Sequence, residues 1–278
     1  MTAFDSRQHT LAGPLRITGI GLRGGAPAAA VLLPAPVGHG RVFVVAGEEI
    51  PATVAHVVDT RLATSLGRGS ARISLVEHLC AALYASGVDN VRIEVEGEEI
   101  PVLDGSAKVW VEGILDVGVE AQGAARTPLV VERPVEVRRG DSWARLEPGD
   151  GLELDVNVAF DHPTIGVQRH AGVALGPSFV RELAWARTFG FLRDAQALRA
   201  AGIALGASLD NTVVYDDTGV LNPDGLRAPD EVVRHKALDA VGDLALLGVP
   251  LHGRLVAHRA GHALHVELLR AFLNEKTR

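Results

Sequence analysis

His235, Asp239 and Asp243 follow one another at intervals of four residues within the segment 230–243. Side chains at i and i+4 are neighbours on a helix, so the spacing predicts a helix with these polar groups stacked along one face. Val232, Leu238, Val241 and Ala245 supply an apolar side that must pack into a core. The polar face has two readings. It is a solvated stripe, or its His and Asp, four apart, grip one metal ion. The segment alone leaves both open, and the rest of the chain has to decide.

A chain of 278 residues exceeds the usual single-core size of about 100–150 residues, so one large or two medium domains are expected. Its 47% hydrophobic and 22% charged residues place it among ordinary globular chains. The net charge of −7 argues against general nucleic-acid binding, which leans on clustered Lys and Arg. Cys80 is the single cysteine, which rules out an internal disulfide and fits a reducing compartment. It falls in an apolar helical stretch, where a small core residue is the better reading than a nucleophile. No targeting signal and no apolar run near the roughly 20 residues of a membrane span are evident. A cytoplasmic monomer is the expectation.

Read in order, residues 8–34 alternate as strand, turn and strand. Gly21-Leu22-Arg23-Gly24-Gly25 lacks the Lys-Ser/Thr ending of a phosphate loop and reads as a tight turn. Residues 54–66 suggest a strand or hairpin. A helix is expected over 74–84, closed by Gly87, with Ser74 and Glu77 spaced as a capping box. That box would make Glu77 a helix-start residue, and His78 could be a core or surface imidazole. Residues 122–127 read as a link where the chain begins again. Strands follow within 129–160, then helices near 178–184 and 194–201, then the helix 230–247, stopped by Gly248 and Pro250. Residues 255–258 and 262–266 read as closing strands, with a last helix over 268–274. The two halves share an outline: strands, a long helix opening on a His, another strand. Two sheets facing away from a central helix layer would bring the two His-bearing helices together.

If those helices meet, His78 joins His235 and Asp239. Three protein ligands with a fourth position left for water is the pattern of a catalytic zinc. Imidazole with a single carboxylate suits Zn²⁺ better than Mg²⁺ or Ca²⁺, which favour oxygen-rich shells. Glu77 is turned by about 100° from His78 around the helix, beside the metal, where it could take a proton from a bound water. His262 is a candidate donor for the leaving group, and Asp243 could fix its tautomer and raise its basicity. Thr188 could stabilise a developing oxyanion, and Lys236 could balance negative charge. Residue type, rather than distance along the chain, suggests these pairings.

Several segments carry a resemblance: 74–84, 87–90, 100–107, Phe160-Asp161-His162-Pro163, 186–191, Ser208-Leu209-Asp210-Asn211, 221–243 and Gly261-His262-Ala263-Leu264. In order, over nearly the whole chain, they resemble the signature segments of the UDP-3-O-acyl-N-acetylglucosamine deacetylases, zinc amidases of lipid A biosynthesis. The resemblance implies an α+β fold of two β-α-α-β domains, 1–121 and 127–278, packed through a central helix layer, each with a small insert. It implies zinc on His78, His235 and Asp239, and Glu77 as general base. His262 would be a protonated acid or electrostatic partner supported by Asp243, with Thr188 and Lys236 at the reacting centre. It further implies that Phe160, Phe189, Phe191, Asp194, Lys236 and Arg259 contact the substrate, UDP-3-O-acyl-N-acetylglucosamine. A β-α-β insert near 189–214 would form an apolar passage for the acyl chain. Leu198, Ile203 and Leu205 could line it, although core packing explains them equally well.

The sequence departs from the family pattern in three places. Arg23 stands where the turn usually carries His, Gly206-Ala207-Ser208 replaces a Gly-Gly-Ser stretch, and His265 replaces the usual Asn. A non-catalytic paralogue and a hydrolase of shifted substrate are the alternatives. A retired enzyme would be free to lose Glu77 and His262, and both are present.

Overall fold

A computed structural model describes residues 6–276. The first half runs β1 (Arg7–Leu11), β2 (Leu15–Ile20), β3 (Pro27–Pro34), β4 (Arg41–Val45), β5 (Glu48–Pro51), β6 (Val57–Asp59), β7 (Ser65–Arg68) and β8 (Ala71–Ile73). It continues through α1 (Glu77–Ala85), β9 (Val91–Glu96), α2 (Lys108–Val117) and β10 (Val119–Ala125). The second half runs β11 (Leu129–Val130), β12 (Val135–Arg139), β13 (Ser142–Glu147), β14 (Leu152–Ala159), β15 (Val167–Val173), α3 (Gly176–Glu182) and β16 (Phe189–Phe191). Then come α4 (Leu192–Ala200), β17 (Val213–Tyr215), α5 (Glu231–Leu244), β18 (Leu251–His258) and α6 (His262–Lys276).

The fold is α+β. One main sheet has the strand order β2-β3-β9-β4-β5, the other β12-β13-β18-β14-β15, with β11 also paired to β18. Numbered in chain order within each of these five-strand paths, the two orders are the same. In each, a single parallel pair in that strand path, β4 with β9 and β14 with β18, sits among antiparallel neighbours. Parallel neighbours need a crossover. The crossover of the first half contains α1 and that of the second contains α5. The shared outline seen in the sequence is therefore a shared topology.

The two crossover helices pack on each other. Every residue of α1 is buried, as are twelve of the fourteen residues of α5. Their backbones approach so closely that a Cβ added to Gly242 would lie 2.0 Å from the carbonyl oxygen of Glu77. Two further ties cross between the halves. Buried Arg41 donates from Nη1 to the Val88 carbonyl at 3.0 Å and from Nη2 to that of Ala245 at 2.7 Å. The Tyr84 hydroxyl accepts from the Leu251 N–H at 2.8 Å. These tie the C-terminal end of α1 to the C-terminal end of α5 and the start of β18. Two small units sit on this frame: the three-stranded sheet β6-β7-β8, and the parallel pair β16-β17 joined across α4.

Four local expectations are corrected. Residues 262–266 are the opening of helix α6, not a strand, because Leu264, Leu268 and Phe272 are all buried at helical spacing. The capping box does not form: Glu77 accepts from the Thr64 N–H, and the Ser74 hydroxyl pairs with that of Ser65. Residues 122–125, read as a link, finish β10, which pairs antiparallel with β1. Residues 54–66 include a hairpin arm, but open with a short 3-10 turn, Val54–His56.

Candidate metal centre and active site

His78 comes from the first turn of α1, and His235 and Asp239 from successive turns of α5. The close helix crossing sets the two imidazoles edge to face, with ring centroids 5.1 Å apart. Asp239 Oδ1 lies 3.3 Å from His235 Nε2 and 3.6 Å from His78 Nε2, and the three candidate ligand atoms all lie within 4.8 Å of one another. His235 Nδ1 donates to the Ala186 carbonyl at 3.0 Å, which leaves the lone pair on Nε2 facing the cluster. Asp239 Oδ1 is buried with no hydrogen-bond donor. A buried carboxylate oxygen without a donor costs free energy unless something cationic meets it. Two imidazole nitrogens and one carboxylate oxygen around such a point are a donor set that fits a divalent metal.

Electrostatics agree with that fit. Burial drives His235 down to about 4, so its imidazole is neutral and able to ligate. Burial opposes ionisation of Asp239, but His235 and Lys236 outweigh it and hold the carboxyl well below its usual range. Lys236 Nζ donates to the other oxygen, Oδ2, at 2.6 Å.

A second group adjoins this cradle. Glu77 Oε1 is 3.9 Å from His262 Nε2, which is also 3.9 Å from Asp239 Oδ2. Burial raises the Glu77 carboxyl, with His262 and His78 partly offsetting it. On His262, burial disfavours the cation, yet the hydrogen-bonded Asp243 carboxylate prevails and lifts it to about 9. Asp243 itself is held well below the carboxylate range by His262 and His265 against its own burial. Its Oδ2 accepts from Nδ1 of both His262 and His265 at 2.8 Å, and its Oδ1 accepts from the Thr64 hydroxyl at 2.7 Å. Two overlapping triplets, Glu77–Asp239–His262 and Asp243–His262–His265, also have metal-like spacing. In the second, the Nδ1 atoms and carboxylate are already engaged with each other, so the cradle on His78, His235 and Asp239 is the better metal site.

The remaining residues singled out in the sequence are distributed around this centre. Thr188 is joined by its backbone to the Gly105 carbonyl at 2.7 Å and the Val213 N–H at 2.8 Å. It lies between Ala186, which anchors His235, and Phe189, whose ring centroid is 6.2 Å from that of His235. Phe160 packs on Phe189 and Phe191, at 5.5 and 5.9 Å between centroids. Arg259 is exposed and lines a cleft of about 370 Å³ together with His262, Arg139 and Leu62. Asp194 is exposed in the first turn of α4, and no described hydrogen bond joins it to the cluster. Arg23 faces a separate cleft of about 480 Å³, 3.3 Å from the Ser74 hydroxyl and 4.0 Å from Asp59. Sequence reasoning missed Thr64, the Ala186 carbonyl and Arg139, whose places depend on tertiary contacts with no local pattern to mark them.

The family model described as LpxC, UDP-3-O-acyl N-acetylglycosamine deacetylase, matches residues 8–274. This chain belongs to that family. Proteins named UDP-3-O-acyl-N-acetylglucosamine deacetylase are among the family's similar members. That of Anaeromyxobacter sp. (strain Fw109-5) is 50% identical over 268 residues, covering 96% of this chain and 88% of the relative. That of Brucella melitensis biotype 2 is 45% identical over 279 residues, covering 99% of this chain and 98% of the relative. The deacetylase family is thus matched across both main sheets and all the clustered residues.

Proposed function

We propose that this chain hydrolyses the N-acetyl group of UDP-3-O-acyl-N-acetylglucosamine, the committed step of lipid A biosynthesis, with Zn²⁺ held by His78, His235 and Asp239. The observation that carries the reading is the donorless oxygen of Asp239 between two imidazole nitrogens, with a carboxyl and an imidazolium alongside. Bound Zn²⁺ would polarise the amide carbonyl and lower the pKa of a water from roughly 15.7 to about 7.

The chain's own groups then divide the proton transfers. Glu77 takes a proton from the attacking water as its oxygen bonds to the acetyl carbon, a role that suits a carboxyl raised by burial. His262, cationic at neutral pH, gives a proton to the sugar nitrogen as the C–N bond breaks, releasing acetate and a free amine. Asp243 keeps His262 in the tautomer and orientation for that transfer. Lys236 offsets negative charge at the centre, and Thr188 contacts the reacting group. Arg259 lies beside His262, where its charge suits the nucleotide end of the substrate. Phe160, Phe189, Phe191 and Asp194 contact the substrate, and the β16-α4-β17 unit forms the passage for the acyl chain. Among the described residues, no helix is long and apolar enough to cross a membrane. A monomer acting in the cytoplasm completes the reading.

The test is deacetylation of UDP-3-O-acyl-N-acetylglucosamine by the purified protein with and without a chelator. Turnover that is lost to the chelator and restored by Zn²⁺ is the expected result. Zinc binding with no turnover would instead make the chain a non-catalytic paralogue.

A further inference from the structure

We infer that Thr64 is a positioning residue of the reaction, holding the base Glu77 through its backbone N–H and the acid's partner Asp243 through its hydroxyl. It lies in the connection between β6 and β7, 13 residues from Glu77 and 179 from Asp243 along the chain. Its side chain is completely buried. The N–H donates to Glu77 Oε2 at 3.0 Å, and the hydroxyl donates to Asp243 Oδ1 at 2.7 Å. Its carbonyl accepts from the N–H of Val76, the residue before Glu77, at 3.3 Å.

Each bond fixes the working end of a different group. With Oε2 of Glu77 engaged, Oε1 is the oxygen nearest His262, at 3.9 Å. With Oδ1 of Asp243 engaged, Oδ2 is the oxygen that takes the two imidazole N–H groups. One residue thus ties the base to the acid's partner through hydrogen bonds that involve none of His78, His235 and Asp239. The backbone is held unusually to achieve this. Leu62, two residues before Thr64, and Leu75, directly before Val76, both adopt left-handed conformations, at φ 64° and 63°. Branched side chains rarely accept that region, and it persists where the surroundings over-determine it, commonly at functional sites.

This inference rests on the reading of Glu77 and His262 as the acid–base pair. Thr64→Val keeps the volume, the branching and the N–H to Glu77, and removes only the donor to Asp243. Loss of such supporting hydrogen bonds commonly costs roughly 10–100-fold in activity. In zinc-loaded Thr64→Val, kcat should fall at least about tenfold, with KM and zinc stoichiometry unchanged. Thr64→Ser should retain most of the wild-type kcat. The ring-proton resonance of His262 Nδ1 should shift in Thr64→Val and stay in place in Thr64→Ser. If the Val variant does not fold, Thr64→Ser against Thr64→Ala isolates the hydroxyl in the same way. Wild-type kcat in a folded variant lacking the hydroxyl would overturn the inference, as would an equal fall with Ser. Turnover surviving Glu77→Ala would instead remove the underlying acid–base reading, so the two failures are distinct.

Discussion

Substituting Gly242 by Ala tests whether the helix crossing is what builds the metal cradle. The new Cβ would meet the Glu77 carbonyl oxygen at 2.0 Å and its carbon at 2.7 Å, with ordinary contact beginning at 3.4 Å. Those atoms are backbone in a fully buried helix and cannot swing aside. The crossing must open locally by about 1.4 Å, in an interior that is already close-packed. Metal sites tolerate ligand displacements of only about 0.2 Å, and His78, the residue after Glu77, rides on the displaced backbone. Overpacking of this kind costs roughly 1–3 kcal/mol and occasionally more. Intrinsic helix propensity alone would favour Ala by about 1 kcal/mol, so the sign of the effect separates the two. The expected outcome is a lower melting temperature, substoichiometric zinc and a large loss of deacetylation. Gly172→Ala, in strand β15 with nothing within 4 Å of the added Cβ, is the uncrowded control. A Gly242→Ala protein with wild-type stability, full zinc and full turnover would refute the argument.

Two further predictions concern the frame around the site. Buried Glu231 accepts from Arg187 Nε at 2.8 Å and Nη2 at 3.0 Å, and from the backbone N–H groups of Arg187 and Arg227. Glu231→Gln leaves the guanidinium uncompensated and should cost about 3–5 kcal/mol in a chemical denaturation measurement. Asp155 is held below its usual range by the bidentate Arg169, against burial, and by Arg254. A carboxyl depressed in the folded state contributes stability above its unfolded value of about 3.9, lost as pH falls through the folded value. Unfolding free energies of wild type and Asp155→Asn from urea titrations should therefore differ by roughly 1–3 kcal/mol near pH 7 and converge in acid; a pH-independent gap would count against the ion pair.

Much of this was legible in the sequence because helices impose a period. The i, i+4 spacing of His235, Asp239 and Asp243 located α5 and its polar face, and the structure sets that face against α1 rather than solvent. The same period was present in Leu264, Leu268 and Phe272, but His262 to Val266 also alternates well enough to read as a strand. The expected capping box at Ser74 and Glu77 failed because a buried donor, Thr64, competes for the carboxylate. The bonds made by Thr64 and the Ala186 carbonyl left no trace in the sequence, since each is a tertiary contact, to Glu77 13 positions away and to His235 49 positions away in the chain. Periodicity reports which face a residue occupies; it does not report which distant group it meets.

The most direct single measurement is deacetylation by Glu77→Ala protein whose zinc content has been determined. Glu77 is not one of the proposed ligands, so zinc should remain near one per chain while turnover of UDP-3-O-acyl-N-acetylglucosamine collapses. Substantial turnover at full zinc occupancy would contradict the account.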